Sequence, residues 1–275
     1  MARQPRAITA WHRTPGALPG MLATAVAIAM LGGLLVQGAE WRALQVATAL
    51  AGYAVLAVAV VLAAAWHLKG MDFGLANQVT LLRTGLACLV AGALLADSDD
   101  AYVSWSVAGV AGLALSLDAV DGWLARRLGL ASPFGARFDL EIDALMILIL
   151  ALLTWQSGRA GIWVLAIGGM RYAFVALALI WPPARRPLPP RWRRKAVCAL
   201  IGVMLLIAIL PPTPLWLAGA GAALALVSQL ASFAVDLVWL AGHAARLRPS
   251  PLDRSTHSVI LAELRPPTSP DETHI

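Results

Sequence analysis

The segment DAVDGWLARRLGLASPFGARFDLEID, residues 118–143, sets five carboxylates between two long apolar stretches, and the rest of the chain is read outward from it. Upstream, residues 101–117 carry no charge; downstream, neither do residues 144–155. Apolar runs of roughly 20 residues cross a ~30 Å hydrocarbon core as helices. The segment is therefore the turn between two membrane helices, closed through Gly129, Ser132 and Pro133, with acids on both flanks. Backbone groups find no water in lipid, so the expected architecture is an all-α, polytopic helix bundle.

Composition agrees. Of 275 residues, 60% are hydrophobic and 13% charged, with mean hydropathy +0.74. Soluble domains run about 45–50% apolar and about 25% charged, so that class is excluded. Only Cys88 and Cys198 are present, each in an apolar stretch, which excludes a disulfide framework and a cysteine zinc site. Eight spans are predicted: Met21–Val36, Leu44–Leu68, Asn77–Ala96, Ala101–Leu124, Phe134–Trp155, Ile162–Trp181, Ala196–Leu210 and Leu215–Ala241. Pro211, Pro212 and Pro214 mark a tight turn between the last two. An N-terminal tail over 1–20, two extra helices over 21–70, a six-helix unit over 76–241 and a polar, disordered tail over 246–275 are the expected divisions.

The net charge of +6 is a topology signal rather than a nucleic-acid signal. With the N-terminus in the cytoplasm, 17 of the 21 basic residues fall on the cytoplasmic side; Arg42 and Arg159 lie outside, Arg83 and Arg171 within spans. Asp97, Asp99 and Asp100 then occupy an outer loop, where acids are unconstrained. Trp41, Trp66, Trp155, Trp181 and Trp239 fall near span ends, as an interfacial belt requires. The stretch from Met21 also fits a signal-peptide core cleaved near Ala39, but the topology works with that span retained.

Carboxylates inside a membrane are costly, about 2.5–3.5 kcal/mol each on insertion scales, and mark functional sites by default. Asp118 and Asp121 are three apart, Asp139 and Asp143 four apart, so each pair shares one helix face. The turn folds the pairs toward each other. Four converging carboxylates repel unless a cation neutralises them, and hard oxygen ligands select Mg²⁺ or Mn²⁺. Gly122 and Ala125 leave space beside the acids, and Arg126 one turn on is a bidentate phosphate donor. Metal, arginine and a spare carboxylate suit transfer of a phosphate-linked group, with the carboxylate taking a proton from an attacking hydroxyl.

Asp118, Asp121, Gly122, Ala125 and Arg126, followed after eight residues by Gly135, then by Asp139 and Asp143 at four-residue steps, resemble the signature of the CDP-alcohol phosphotransferases (CDP-alcohol phosphatidyltransferases). All eight signature positions match. Asn77, Thr80 and Arg83 look like the family's Asn-x-x-Thr-x-x-Arg segment, although Ala76 stands where a Pro often precedes it. The resemblance covers about Asn77 to Ala241. It implies attack of an alcohol on the β-phosphorus of a CDP-linked donor, usually CDP-diacylglycerol, releasing CMP in phospholipid biosynthesis. By this resemblance Asp118, Asp121 and Asp139 look like metal ligands, with Asp143 as base and fourth ligand. Gly122, Ala125 and Arg126, joined by Asn77 and Thr80, look like nucleotide and pyrophosphate contacts, and Gly135 would let the facing helix approach. Glu141 is outside the signature and off the Asp139/Asp143 face, so it reads as interfacial.

The acceptor is less well marked. Arg171 near mid-span and Lys195 at the start of the seventh span could hold an acceptor phosphate, which favours glycerol 3-phosphate or an inositol phosphate. Inositol, serine or a lipid alcohol stand as alternatives, since Ala196, Val197 and Cys198 follow the Lys where phosphatidylglycerophosphate synthases usually carry a Lys and a Thr. Arg83 reads equally as a snorkelling side chain, a partner for an acid such as Asp121, or a substrate contact. The basic run from Arg185 to Lys195 reads mainly as a contact for anionic lipid headgroups. Ser228, Gln229 and Asp236 either line the acceptor cavity or bond between helices. A membrane cation transporter is the reading from a different class; it calls for acids spread through the span depth, whereas these cluster at one edge. The expected setting is the bacterial inner membrane with the site on the cytoplasmic side, and family members commonly form homodimers.

Overall fold

The computed structural model describes residues 16–67, 73–96, 101–127, 132–185 and 192–246, without the side chains of 101–102, 121–126 and 243–246. Among these residues there are eight α-helices and no strand: α1 Ala17–Gly38, α2 Ala43–His67, α3 Leu75–Gly92, α4 Ala101–Arg127, α5 Pro133–Gln156, α6 Leu165–Ile180, α7 Trp192–Ile209 and α8 Leu215–Arg246. Six are long and apolar enough to cross a membrane. The other two, α5 and α7, carry charges in their N-terminal halves, Arg137 to Asp143 and Arg193 to Lys195. Met30, Val55, Leu179 and Val238 are each at least 67% exposed on outer faces, which suits a surface solvated by lipid.

The helices extend beyond the predicted apolar stretches. α1 begins at Ala17, inside the expected tail, after Gly16 turns the chain at φ 86°. α7 begins at Trp192 rather than Ala196, because long basic side chains let a helix continue into the interface while their charges stay solvated. α5 starts where Ser132 caps it, its hydroxyl accepting from the Gly135 amide at 2.9 Å, with Pro133 at the first helical position. Gly129, Asp97, Asp99, Asp100 and the tails 1–15 and 247–275 lie outside the described residues.

α3 is the central post. Two thirds of its apolar window is buried (67%), against at most 33% in the other five spans, and α1, α2, α4 and α5 pack around it. With no hydrophobic gradient between lipid and protein interior, such packing depends on close backbone approach. A Cβ at Gly92 would lie 2.5 Å from the Gln45 carbonyl oxygen of α2. Gly92→Val should therefore separate α2 from α3 and cost about 1–3 kcal/mol of stability. Gly109→Val on α4, with nothing within 4 Å, serves as the control. The expected result is a lower thermal midpoint in detergent for the first variant alone.

Trp41 departs from the interfacial reading. It is 3% exposed, and its indole Nε1 donates to Ser106 Oγ at 2.7 Å, tying the α1–α2 connection to α4. Trp66 and Trp155 are exposed, as a belt residue would be. Near the same end as Trp155, the Arg159 guanidinium donates to the Thr213 and Pro211 carbonyls at 2.8 and 3.3 Å, fixing the proline turn between α7 and α8. The opposite end gathers the first turns of α3, α5 and α7 and the last turns of α4, α6 and α8.

Candidate active site

At that end Asp118 on α4 and Asp139 and Asp143 on α5 converge, each offering a carboxylate oxygen within 4.8 Å of the others. All three are half-buried. Asp121, Gly122, Ala125 and Arg126 lie on the last turns of α4, but their side chains fall outside the described residues. Arg83, one of the alternatives left open by sequence, is the hub. It is 2% exposed, and its guanidinium reaches Asp139 at 2.5 Å, Asp118 at 3.1 Å and Asp143, while Nε donates to the Ala114 carbonyl at 3.3 Å. The clustered negative charge is thus held together by a cation from the central helix.

Thr80 and Asn77 sit about one and two turns nearer the start of α3, both buried. Asn77 Nδ2 donates to the Phe73 carbonyl at 2.6 Å, and Thr80 Oγ1 to Ala76 at 3.1 Å. The Asn77 amide oxygen rests against Gly135: a Cβ there would come 2.7 Å from it and 3.1 Å from Ser132 Oγ. The element that approaches Gly135 is therefore α3. Around this contact Phe73, Phe134 and Phe138 pack with centroids 6.1–6.4 Å apart, closing the bundle beside the acids.

Asp143 also borders a cavity of about 200 Å³ between α5, α6, α7 and α8. The cavity exists because α6 is drawn onto α5, where a Cβ at Gly168 would lie 2.5 Å from Leu148 Cα, while α8 packs mainly on α7. Arg171, Arg194, Asp236, Ser232 and Gln229 supply its polar lining. Arg171 pairs with Glu141, so Glu141 is not merely interfacial. Asp236, 6% exposed, accepts from Arg193 at 2.7 Å and lies 3.8 Å from Arg194. Lys195 is exposed and does not line the cavity; Arg194 takes that place, one residue earlier on α7. The basic run is thus partly turned inward. Arg185 bonds the Ala178 and Leu179 carbonyls at 2.7 and 2.9 Å, capping α6, and Arg186 and Arg191 lie outside the described residues.

The donor set tests whether a metal fits. Among the described residues, three carboxylates and no imidazole or thiol in the group make an oxygen-only site, which suits a hard divalent cation such as Mg²⁺ or Mn²⁺. The arrangement can therefore bind a cation and a charged phosphate group at one edge of the bundle, and admit a second molecule to Asp143 through the cavity. Gln229 and Asp236 both line the cavity and bond between helices, whereas Ser228 does neither, its hydroxyl donating to the Ala225 carbonyl of the same helix at 2.9 Å.

A family model described as CDP-alcohol phosphatidyltransferase matches residues 73–238. No curated protein and no solved structure matches the chain.

Proposed function

The chain belongs to the CDP-alcohol phosphatidyltransferase family, and we propose that it transfers a phosphatidyl group from a CDP-alcohol, CDP-diacylglycerol in the first place, to an alcohol acceptor with release of CMP. The observation that carries this reading is the convergence of Asp118, Asp139 and Asp143 at the mouth of a cavity that reaches only Asp143 of the three. Family members use divalent metals; one bound by Asp118, Asp121, Asp139 and Asp143 would offset the charge of the donor's pyrophosphate.

The residues divide the remaining work. Arg126 offers a bidentate donor to the pyrophosphate, and Gly122 and Ala125 leave the space it needs beside α4. Asn77 and Thr80 shape the nucleotide side through α3. Asp143 accepts the proton of the acceptor hydroxyl; that oxygen attacks the β-phosphorus, the new O–P bond forms, and the bond to CMP breaks with its electron pair leaving on CMP. A site at the bundle edge lets the cytidine stay in water while the acyl tails remain in lipid. We place this edge on the cytoplasmic side of a bacterial inner membrane, in phospholipid synthesis, following the distribution of basic residues.

The test uses the purified full chain with CDP-diacylglycerol, Mn²⁺ and a panel of alcohols, reading CMP and product mass. CMP release should appear with an acceptor, vanish with EDTA and return with Mn²⁺. Absence of CMP release under every acceptor would overturn the reading.

A further inference from the structure

The cavity has a depth and a polarity that bear on the acceptor. On each of its four helices the outermost lining residues are seven apart: Leu140 and Ile147, Ile167 and Phe174, Arg194 and Ile201, Gln229 and Asp236. At 1.5 Å per residue the cavity is ~10 Å deep along the bundle. Helix directions put Leu140, Phe174, Arg194 and Asp236 at the mouth, and Ile147, Ile167, Ile201 and Gln229 at the floor. Charges occur only in the upper part: Arg171 pairs with Glu141 while its Nε is buried with no hydrogen-bond partner among the described residues, and Arg194 lies 3.8 Å from Asp236, which also accepts from Arg193. Val197 and Phe233 stand level with Asp143; below it Ala144, Cys198 and Ser232 lead down to a floor walled by Ile147, Ile167, Gly168 and Ile201.

One polar group interrupts that apolar floor. Gln229 is 8% exposed, and its Nε2 donates to the Ile167 carbonyl at 3.0 Å, which fixes the amide and aims Oε1 elsewhere. Oε1 is buried with no hydrogen-bond partner among the described residues. A buried acceptor of this kind is costly to leave unpaired and points to a donor on a bound molecule. A polyol or a phosphate reaching the floor would bring several polar groups to a surface that can satisfy one, and no cation stands there.

Taking the transfer reaction above as given, we propose that the acceptor is an amphiphilic alcohol. Its reacting hydroxyl lies at Asp143, an apolar segment fills the lower half of the cavity, and a second hydrogen-bond donor meets Gln229 Oε1. Asp143 and Ile147 are four residues apart, so the donor sits at least ~6 Å below the reacting hydroxyl. Glycerol 3-phosphate and the inositol phosphates, favoured on Arg171 and Lys195, carry no apolar segment to fill that lower half.

Hexane-1,6-diol and hexan-1-ol form a matched probe pair, since only the diol carries the second donor. With CDP-diacylglycerol and Mn²⁺, the diol should be used with a kcat/KM about tenfold above that of hexanol, the worth of one hydrogen bond. Gln229→Leu should erase that preference while leaving the KM for CDP-diacylglycerol unchanged. Glycerol 3-phosphate and myo-inositol should stay near background. A second measurement needs no catalysis: Cys198 lines the cavity, so in a Cys88→Ala background its alkylation by N-ethylmaleimide should be slowed several-fold by the diol and not by glycerol 3-phosphate. A preference for glycerol 3-phosphate, protection of Cys198 by it, or a diol preference that survives Gln229→Leu would overturn the acceptor class and leave the transferase reading standing. Diol protection of Cys198 without CMP release under any acceptor would do the reverse.

Discussion

Asp143→Asn is expected to lower CMP release on the order of a thousandfold, while the protein remains folded at the wild-type thermal midpoint or above it. Of the three converging carboxylates, Asp143 alone also borders the cavity by which an acceptor reaches the site. Proton abstraction by a positioned base is worth roughly 10²–10⁴ in rate, and an amide of the same shape cannot supply it. The structural cost is small, because Arg83 retains Asp118 and Asp139 as partners and the cluster loses one repelling charge. Asp118→Asn provides the contrast: it removes a candidate ligand away from the cavity, so its loss of rate should be partly recovered at high Mn²⁺, whereas that of Asp143→Asn should not. Full activity in Asp143→Asn would remove the base from the mechanism.

The helices were legible because hydrophobic length is set by bilayer thickness, a property of single segments. The start of α5 was equally local, written in Ser132 and Pro133. The acid pairs were legible for the same reason: spacings of three and four put side chains on one face whatever the rest of the chain does. Contacts between helices carry no such local mark. Sequence placed Arg83 among three alternatives, and the structure selects pairing, with Asp118, Asp139 and Asp143, residues 35 to 60 positions away. The same holds for Glu141 with Arg171, Asp236 with Arg193, and the indole of Trp41 with Ser106. Lys195 and Arg194 show how fine the distinction is. Neighbours on a helix differ by about 100° in direction, so knowing that a basic residue opens α7 does not tell which one faces the cavity. Only the rotation of α7 against α5 and α8 decides it. Gln229 was noticed as a polar residue in an apolar span, but its unpaired oxygen became visible only once Ile167 was seen to hold the other half of the amide.

Arg83→Met is expected to be the most damaging single change to metal-free protein. Three carboxylates within 4.8 Å of one another are tolerated because a guanidinium that is 2% exposed touches all three. Removing one partner of a buried ion pair costs about 3–5 kcal/mol, because the remaining charge is left unmatched. Here the side chains of Asp118 and Asp139 are 42% and 37% exposed, so water screens part of the repulsion, and we expect the lower end of that range. Arg83→Lys should fall between: a single ammonium keeps the charge but lacks the planar fork that spans two helices. The sign reverses when divalent metal is added. A cation that binds folded protein stabilises it in proportion to its affinity, and deleting a neighbouring positive charge raises that affinity. Mn²⁺ should therefore raise the thermal midpoint of Arg83→Met more than that of wild type, narrowing the gap measured in EDTA. A small loss in EDTA together with equal Mn²⁺ shifts in both proteins would mean that the arginine neither holds the acids together nor competes with metal for them.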